Sequence, residues 1–166
     1  MITLVLGGAR SGKSQFAEDI ARCANAPVTY VATLSVDDDA ELKVRVEAHR
    51  LRRPPDWNTV ECRDDLATLL VSTTGTVLVD SLGPWLAGQP SMNPDTIALC
   101  DALRTRQFDT IVVSDEVGQG VHPETALGRE FRDALGRLNQ EVANVADAVY
   151  LVVAGRALSL PRGDDT

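Results

Sequence analysis

The sequence predicts an α/β fold, a mostly parallel sheet with helices on both faces. Two observations predict it. Short, near-continuous apolar runs recur along the 166 residues, with helical patterns between them. Early in the chain, Gly7-Gly8-Ala9-Arg10-Ser11-Gly12-Lys13-Ser14 fits the pattern G-x-x-x-x-G-K-[ST], between a strand-like and a helix-like segment. At this length a single domain, residues 1–166, is expected.

The elements follow in order. Ile2 to Leu6 reads as the first buried strand and Gln15 to Ala24 as the first helix, with Phe16, Ile20 and Cys23 on one stripe. Val28 to Thr33, bounded by Pro27, reads as the second strand. Asp37 to Arg50 reads as a helix that opens with Asp37, Asp38, Asp39 and Glu41 and carries Arg45 and Arg50 toward its end. That polarity suits the helix dipole. Thr76 to Asp80, Thr110 to Ser114 and Ala148 to Val153 supply three more strands. Before the last of these, Leu127, Phe131, Leu135, Leu138, Val142 and Val145 recur at steps of three and four, the apolar face of a long helix. Gly88 to Asn93 reads as a loop marked by Pro90 and Pro94, and Arg162 to Thr166 as a frayed tail.

Composition narrows the function. Apolar residues make up 44% and aromatic ones 4%, so the core is mostly aliphatic. The net charge of −8 would repel a nucleic-acid backbone, which argues against a DNA- or RNA-binding module. An anionic nucleotide must then be held by local positive charge. Cys23, Cys62 and Cys100 are far apart and form no C-x-x-C, so neither a disulfide framework nor a zinc site is expected, and the cytoplasm is the plain setting. Met1 leads straight into the first strand with no room for a signal peptide, and no apolar run is long enough to span a membrane.

Gly7 to Ser14 is a phosphate-binding loop, the P-loop of many nucleotide-binding enzymes. Its glycines let backbone N–H groups turn toward an anion, and the following helix adds a favourable dipole. Lys13 is expected on the β- and γ-phosphates and Ser14 on Mg²⁺. Ligands in such sheets sit at the carboxyl ends of strands. Thr33-Leu34-Ser35, Asp80-Ser81 and Asp115-Glu116 all stand at such ends. Asp80 reads as a second Mg²⁺ ligand or as a turn residue. Asp115 or Glu116 could activate a substrate hydroxyl or support the metal; the alternative is a carboxylate capping the turn before Gly118 and Gly120. His49 shares a helical face with Leu42 and Val46 and reads as a packed histidine. Yet Arg50, Arg52 and Arg53 follow it, and these could hold phosphate oxygens while a neutral imidazole attacks phosphorus. A solvated charge run is the plainer account of the arginines.

These residues resemble a known family, the bifunctional adenosylcobinamide kinase / adenosylcobinamide-phosphate guanylyltransferase of cobalamin biosynthesis. The resemblance runs nearly end to end. It rests on the loop, Tyr30-Val31-Ala32-Thr33, His49-Arg50 with Arg53-Pro54, Trp57, Thr59 and Glu61. It continues through Val77 to Leu82, Trp85-Leu86, Glu116-Val117-Gly118, Gly120, Pro123, Arg129 to Asp133 and Gly136 to Gln140. Where the family pattern has Asn or Ser-Asn before Glu-Val-Gly, this chain has Ser114-Asp115. The resemblance implies two reactions. Adenosylcobinamide is phosphorylated with ATP or GTP. GMP is then transferred from GTP to adenosylcobinamide phosphate through a covalent guanylyl-histidine at the position of His49, releasing pyrophosphate. It also implies a RecA-like P-loop core, a homotrimer, and guanine nucleotide against Thr33, Leu34, Ser35, Arg50, Leu51, Arg52, Arg53, Glu61 and Asp80. Lys13, Asp80 and Glu116 are then the catalytic candidates beside His49. His49 must be neutral to attack, so guanylylation is expected to fall below a pH of about 6.5. Two rivals remain: a single-activity P-loop kinase with a structural His49, and a nucleotide-binding switch without turnover.

Overall fold

The computed structural model describes residues 1–24, 26–34 and 53–163. The expected helix from Asp37 to Arg50 lies outside the described residues. One seven-stranded sheet organises the rest, in the order β3-β2-β4-β5-β1-β6-β7. The strands are β1 (Ile2–Gly7), β2 (Val28–Ala32), β3 (Asn58–Glu61), β4 (Thr76–Asp80), β5 (Thr110–Asp115), β6 (Ala148–Val153) and β7 (Arg156–Ser159). All pairs are parallel except β6 with β7. The helices are α1 (Lys13–Arg22), α2 (Leu66–Ser72), α3 (Leu82–Gly88), α4 (Thr96–Thr105) and α5 (Ala126–Val145).

Strand alternation divides the core into two layers. On one side Leu4, Val31, Val77, Val79 and Val112 meet Leu66, Leu70, Leu82, Leu86, Leu99, Leu103, Leu135, Leu138 and Val142 from α2 to α5. On the other, Val5, Tyr30, Leu78, Ile111, Val113 and Val152 meet Ala17 and Ala21 of α1. Fully burying a leucine such as Leu4, Leu82 or Leu135 stabilises the fold by about 1.5–3 kcal/mol. At the rim where β5 begins, Arg106 ties one carbonyl of α2 and two of the loop after it to the sheet. Its guanidinium donates to Leu70 O, Thr73 O and Gly75 O and to Thr110 Oγ1.

Several expectations are corrected. Helix α1 starts two residues earlier than Gln15 and ends at Arg22. Its buried residues are Ala17, Glu18 and Ala21, with Phe16 and Ile20 half-buried and Cys23 exposed. Small side chains let α1 lie close on the sheet, and the bulky stripe falls to the flank. Leu127 of the long helix is exposed, whereas Leu135, Leu138 and Val142 are buried as expected. Residues 88–93 are not all loop, because α3 runs to Gly88 and a 3₁₀ turn covers Pro90–Met92. Arg162 is anchored rather than frayed, donating to Asn144 O and Ala146 O. Strands β3 and β7 were not anticipated. No helix among the described residues is long and apolar enough to cross a membrane.

Candidate nucleotide site

Strand β1 runs into the loop at Gly7. A Cβ there would collide with Ser11 Oγ and stand 2.8 Å from Val152 O, so only glycine fits. Gly12 has φ +95°, and a Cβ on it would meet Gly155 Cα at 3.1 Å. The β6–β7 turn therefore presses on the loop, and Gly155 N–H donates to Ser11 O at 2.8 Å. Helix α1 begins directly after Gly12. Helices α2, α4 and α5 open with side-chain caps from Asp65, Asp95 and Thr125, but Gly12 offers none. Lys13 N–H donates to Ser11 Oγ at 3.3 Å, and the start of α1 lies directly against the loop, where an anion is favoured.

Two carboxylates back this helix end. Lys13 Nζ lies 2.7 Å from Asp115 Oδ1 and donates to Gly8 O at 3.2 Å. Its side chain is only 12% exposed. Ser14 Oγ donates to Asp80 Oδ1 at 3.3 Å. The other oxygen of Asp80 accepts from the Tyr30 hydroxyl at 2.5 Å. Burial first, then the Asp80 charge, pushes the Tyr30 phenol well above its ordinary range, so it remains a donor. The Arg53 guanidinium lies over the Tyr30 ring, 3.3 Å from its centroid, a cation–π stack. Its buried Nε has no hydrogen-bond partner among the described residues.

The remaining candidates fall as follows. Thr33 is buried and clamps the end of β4: its Oγ1 donates to Ser81 O at 2.6 Å and accepts from Ser81 N at 2.9 Å, across the cis Asp80–Ser81 peptide. Leu34 is half-buried just beyond it. Glu61 is exposed at the end of the outermost strand β3, beside Ala32. Glu116 caps the following turn, its Oε1 accepting from Gly118 N at 2.6 Å, and its own N–H donates to Gly7 O. Asp115, not Glu116, is the carboxylate on Lys13. Behind it, Asn139 Nδ2 donates to Asp115 O and Asn139 Oδ1 accepts from Ser114 Oγ at 2.6 Å. Ser35, His49, Arg50, Leu51 and Arg52 lie outside the described residues.

Hard oxygen donors at Ser14 and Asp80 suit Mg²⁺, which takes one or two carboxylates and fills its remaining positions with phosphate oxygens and water. No group of three or more His, Cys, Asp or Glu able to hold a metal occurs among the described residues, and a Mg²⁺–nucleotide site needs none. Tyr30 is the residue that sequence reasoning did not place in the site. A usable signal was present: Tyr30 pairs with Leu78 in register, so Asp80 follows two residues later on the same face.

Strand, phosphate loop and carboxylate-backed helix define a P-loop nucleotide-binding protein. Solved structures agree on the fold. The ATPase of a type III secretion system of pathogenic bacteria matches at TM-score 0.58 and 12% identity, over 95% of this chain and 56% of that one. EscN, the type III secretion ATPase of enteropathogenic E. coli, matches at TM-score 0.54 and 12% identity over 92% of this chain and 43% of that one. The particular family is set by sequence. Residues 3–160 match the model for cobinamide kinase / cobinamide phosphate guanyltransferase, and the chain belongs to that family. The bifunctional adenosylcobalamin biosynthesis protein CobU of Salmonella typhimurium (strain LT2) is 37% identical over 178 residues, covering 93% of this chain and 97% of that one. CobP of Pseudomonas aeruginosa, described in the same words, is 37% identical over 169 residues, covering 96% and 97%.

Proposed function

We propose that this chain carries out both reactions of its family. It phosphorylates adenosylcobinamide with ATP or GTP, then transfers GMP from GTP to adenosylcobinamide phosphate by way of His49. The observation that carries the reading is the division of the helix start between two partners: Lys13 on Asp115, and Ser14 on Asp80. A triphosphate needs both a cation for its terminal phosphates and an oxygen pair for its metal.

In the kinase step the loop N–H groups and Lys13 hold the triphosphate, and Lys13 exchanges Asp115 for phosphate oxygens. The acceptor hydroxyl oxygen bonds to the γ-phosphorus as the bond to the β-bridging oxygen breaks. The hydroxyl proton passes to a carboxylate. Asp115, freed from Lys13, is one candidate, and Glu116, one residue on, is the other. When bound, Mg²⁺ supplies positive charge across the phosphate oxygens. In the guanylyl step a neutral His49 nitrogen bonds to the α-phosphorus and pyrophosphate leaves. A phosphate oxygen of adenosylcobinamide phosphate then displaces His49 from that phosphorus. Arg50, Arg52 and Arg53 offer charge for the phosphates, and Thr33, Leu34, Ser35, Leu51 and Glu61 belong to the proposed guanine-nucleotide surroundings.

The test is incubation with α-labelled GTP. An acid-labile, base-stable adduct is expected, absent in His49→Ala, which should keep part of the kinase activity. Equal loss of both activities in a folded His49→Ala protein would sink the separate role, and no adduct in the native chain would favour a single-activity kinase. A cytoplasmic homotrimer is part of the proposal. Three free thiols suit a reducing compartment, and sedimentation measures the assembly.

A further inference from the structure

Beneath the loop, one buried polar side chain has no part in the chemistry above. Tyr30 is 3% exposed and packs in the layer formed by Val5, Ala17, Ala21, Leu78 and Ile111. A phenylalanine would fill this space without the cost of desolvating a hydroxyl. The hydroxyl offsets that cost by donating to Asp80 Oδ2, while Asp80 Oδ1 accepts from Ser14 Oγ. A carboxylate held on one oxygen cannot turn freely, so its other oxygen stays aimed at Ser14. The same ring carries the Arg53 guanidinium. Arg53 follows the His49–Arg52 stretch directly in sequence. Tyr30 thus touches the proposed metal ligand with its hydroxyl and an arginine of the proposed nucleotide site with its face.

We infer that Tyr30 is a positioning residue that links the two halves of the nucleotide site, its hydroxyl setting the aim of Asp80 and its ring seating Arg53. The inference rests on the reading of Ser14 and Asp80 as the Mg²⁺ ligands. The two contacts are separable. Tyr30→Phe removes the hydroxyl and keeps the stack. Tyr30→Leu removes both. Arg53→Gln keeps the ring and removes the cation.

The experiment is calorimetric titration of the full chain with GTP, in EDTA and across a Mg²⁺ series. The native chain is the control: if Mg²⁺ does not strengthen its GTP binding, the metal reading fails, whatever Tyr30 does. Given that gain, Tyr30→Phe should leave affinity in EDTA within about twofold and raise the Mg²⁺ concentration for half-maximal gain about tenfold, the scale of a hydrogen bond to a charged group. Arg53→Gln should weaken binding in EDTA about fivefold and keep the Mg²⁺ midpoint, the scale of a charge-assisted phosphate contact. Tyr30→Leu should show both defects. With Asp80→Asn in place, Tyr30→Phe should change nothing further. An unchanged Mg²⁺ midpoint in Tyr30→Phe would overturn the inference. So would an equal loss of affinity with and without Mg²⁺, which marks a mere packing residue, or a full further tenfold loss on top of Asp80→Asn.

Discussion

Asp80 and Asp115 stand at the ends of the adjacent strands β4 and β5, and both reach the first residues of α1. They are the same chemical group in different company. Asp115 meets an ammonium, so its charge is matched within the fold. Asp80 accepts from two hydroxyls, Ser14 on one oxygen and Tyr30 on the other, and these fix its aim. The difference teaches that position along the sheet edge divides the work. A carboxylate aimed by two hydroxyls keeps one oxygen beside Ser14, where the two could share a cation, and one on a lysine restrains that lysine until an anion competes for it.

The sharpest way to break this division is Asp80→Asn. It should lower both transfer reactions about 100-fold or more at saturating Mg²⁺, since the charge proposed to hold the metal is gone, and leave GTP binding in EDTA nearly intact. Steady-state kinetics and calorimetry together read it. Asp115→Asn should do the reverse in binding. With the competitor for Lys13 removed, metal-free GTP affinity should rise about fivefold, a partly exposed ion pair being worth about 1 kcal/mol. If Asp115 takes the acceptor proton, the kinase kcat of this variant falls about 100-fold and guanylyl transfer is spared. If Glu116 does, Glu116→Gln shows that loss instead. Identical profiles for the two aspartate variants would erase the division. The smallest effect tests what steadies Asp115. Ser114→Ala leaves a buried Asn139 oxygen without its donor and should cost about 2 kcal/mol in urea denaturation, with the Mg²⁺ response unchanged.

Much of this was legible in the sequence, for physical reasons. Buried parallel strands are continuous apolar runs, and all five of those were visible. Strand β3 was not, because Asn58-Thr59-Val60-Glu61 is an edge strand with mostly exposed side chains and only Val60 apolar. Strand β7 is exposed throughout and follows a turn in which Ala154 and Gly155 both have positive φ. An alanine does not announce that conformation. The loop and Asp80 were readable because chemistry fixes their residue types. That Asp115 rather than Glu116 meets Lys13 follows from strand parity: Ile111 and Val113 face α1, and Asp115 continues that series while Glu116 breaks it. Tyr30 escaped because an aromatic in an apolar run reads as filling, and only its diagonal relation to Asp80 gives it away.

The hairpin turn at Gly155 has a consequence for how the molecule is made. Strand β1 precedes its neighbours β5 and β6 by more than a hundred residues, and the partner of the hydrogen bond that braces Ser11 comes later still. A growing chain therefore carries its phosphate-binding motif long before that motif has walls. Closure of such distant pairings is slow. The cradle takes shape only once Gly155 is in place, and a break near Gly155 would be felt about 140 residues earlier, at Ser11.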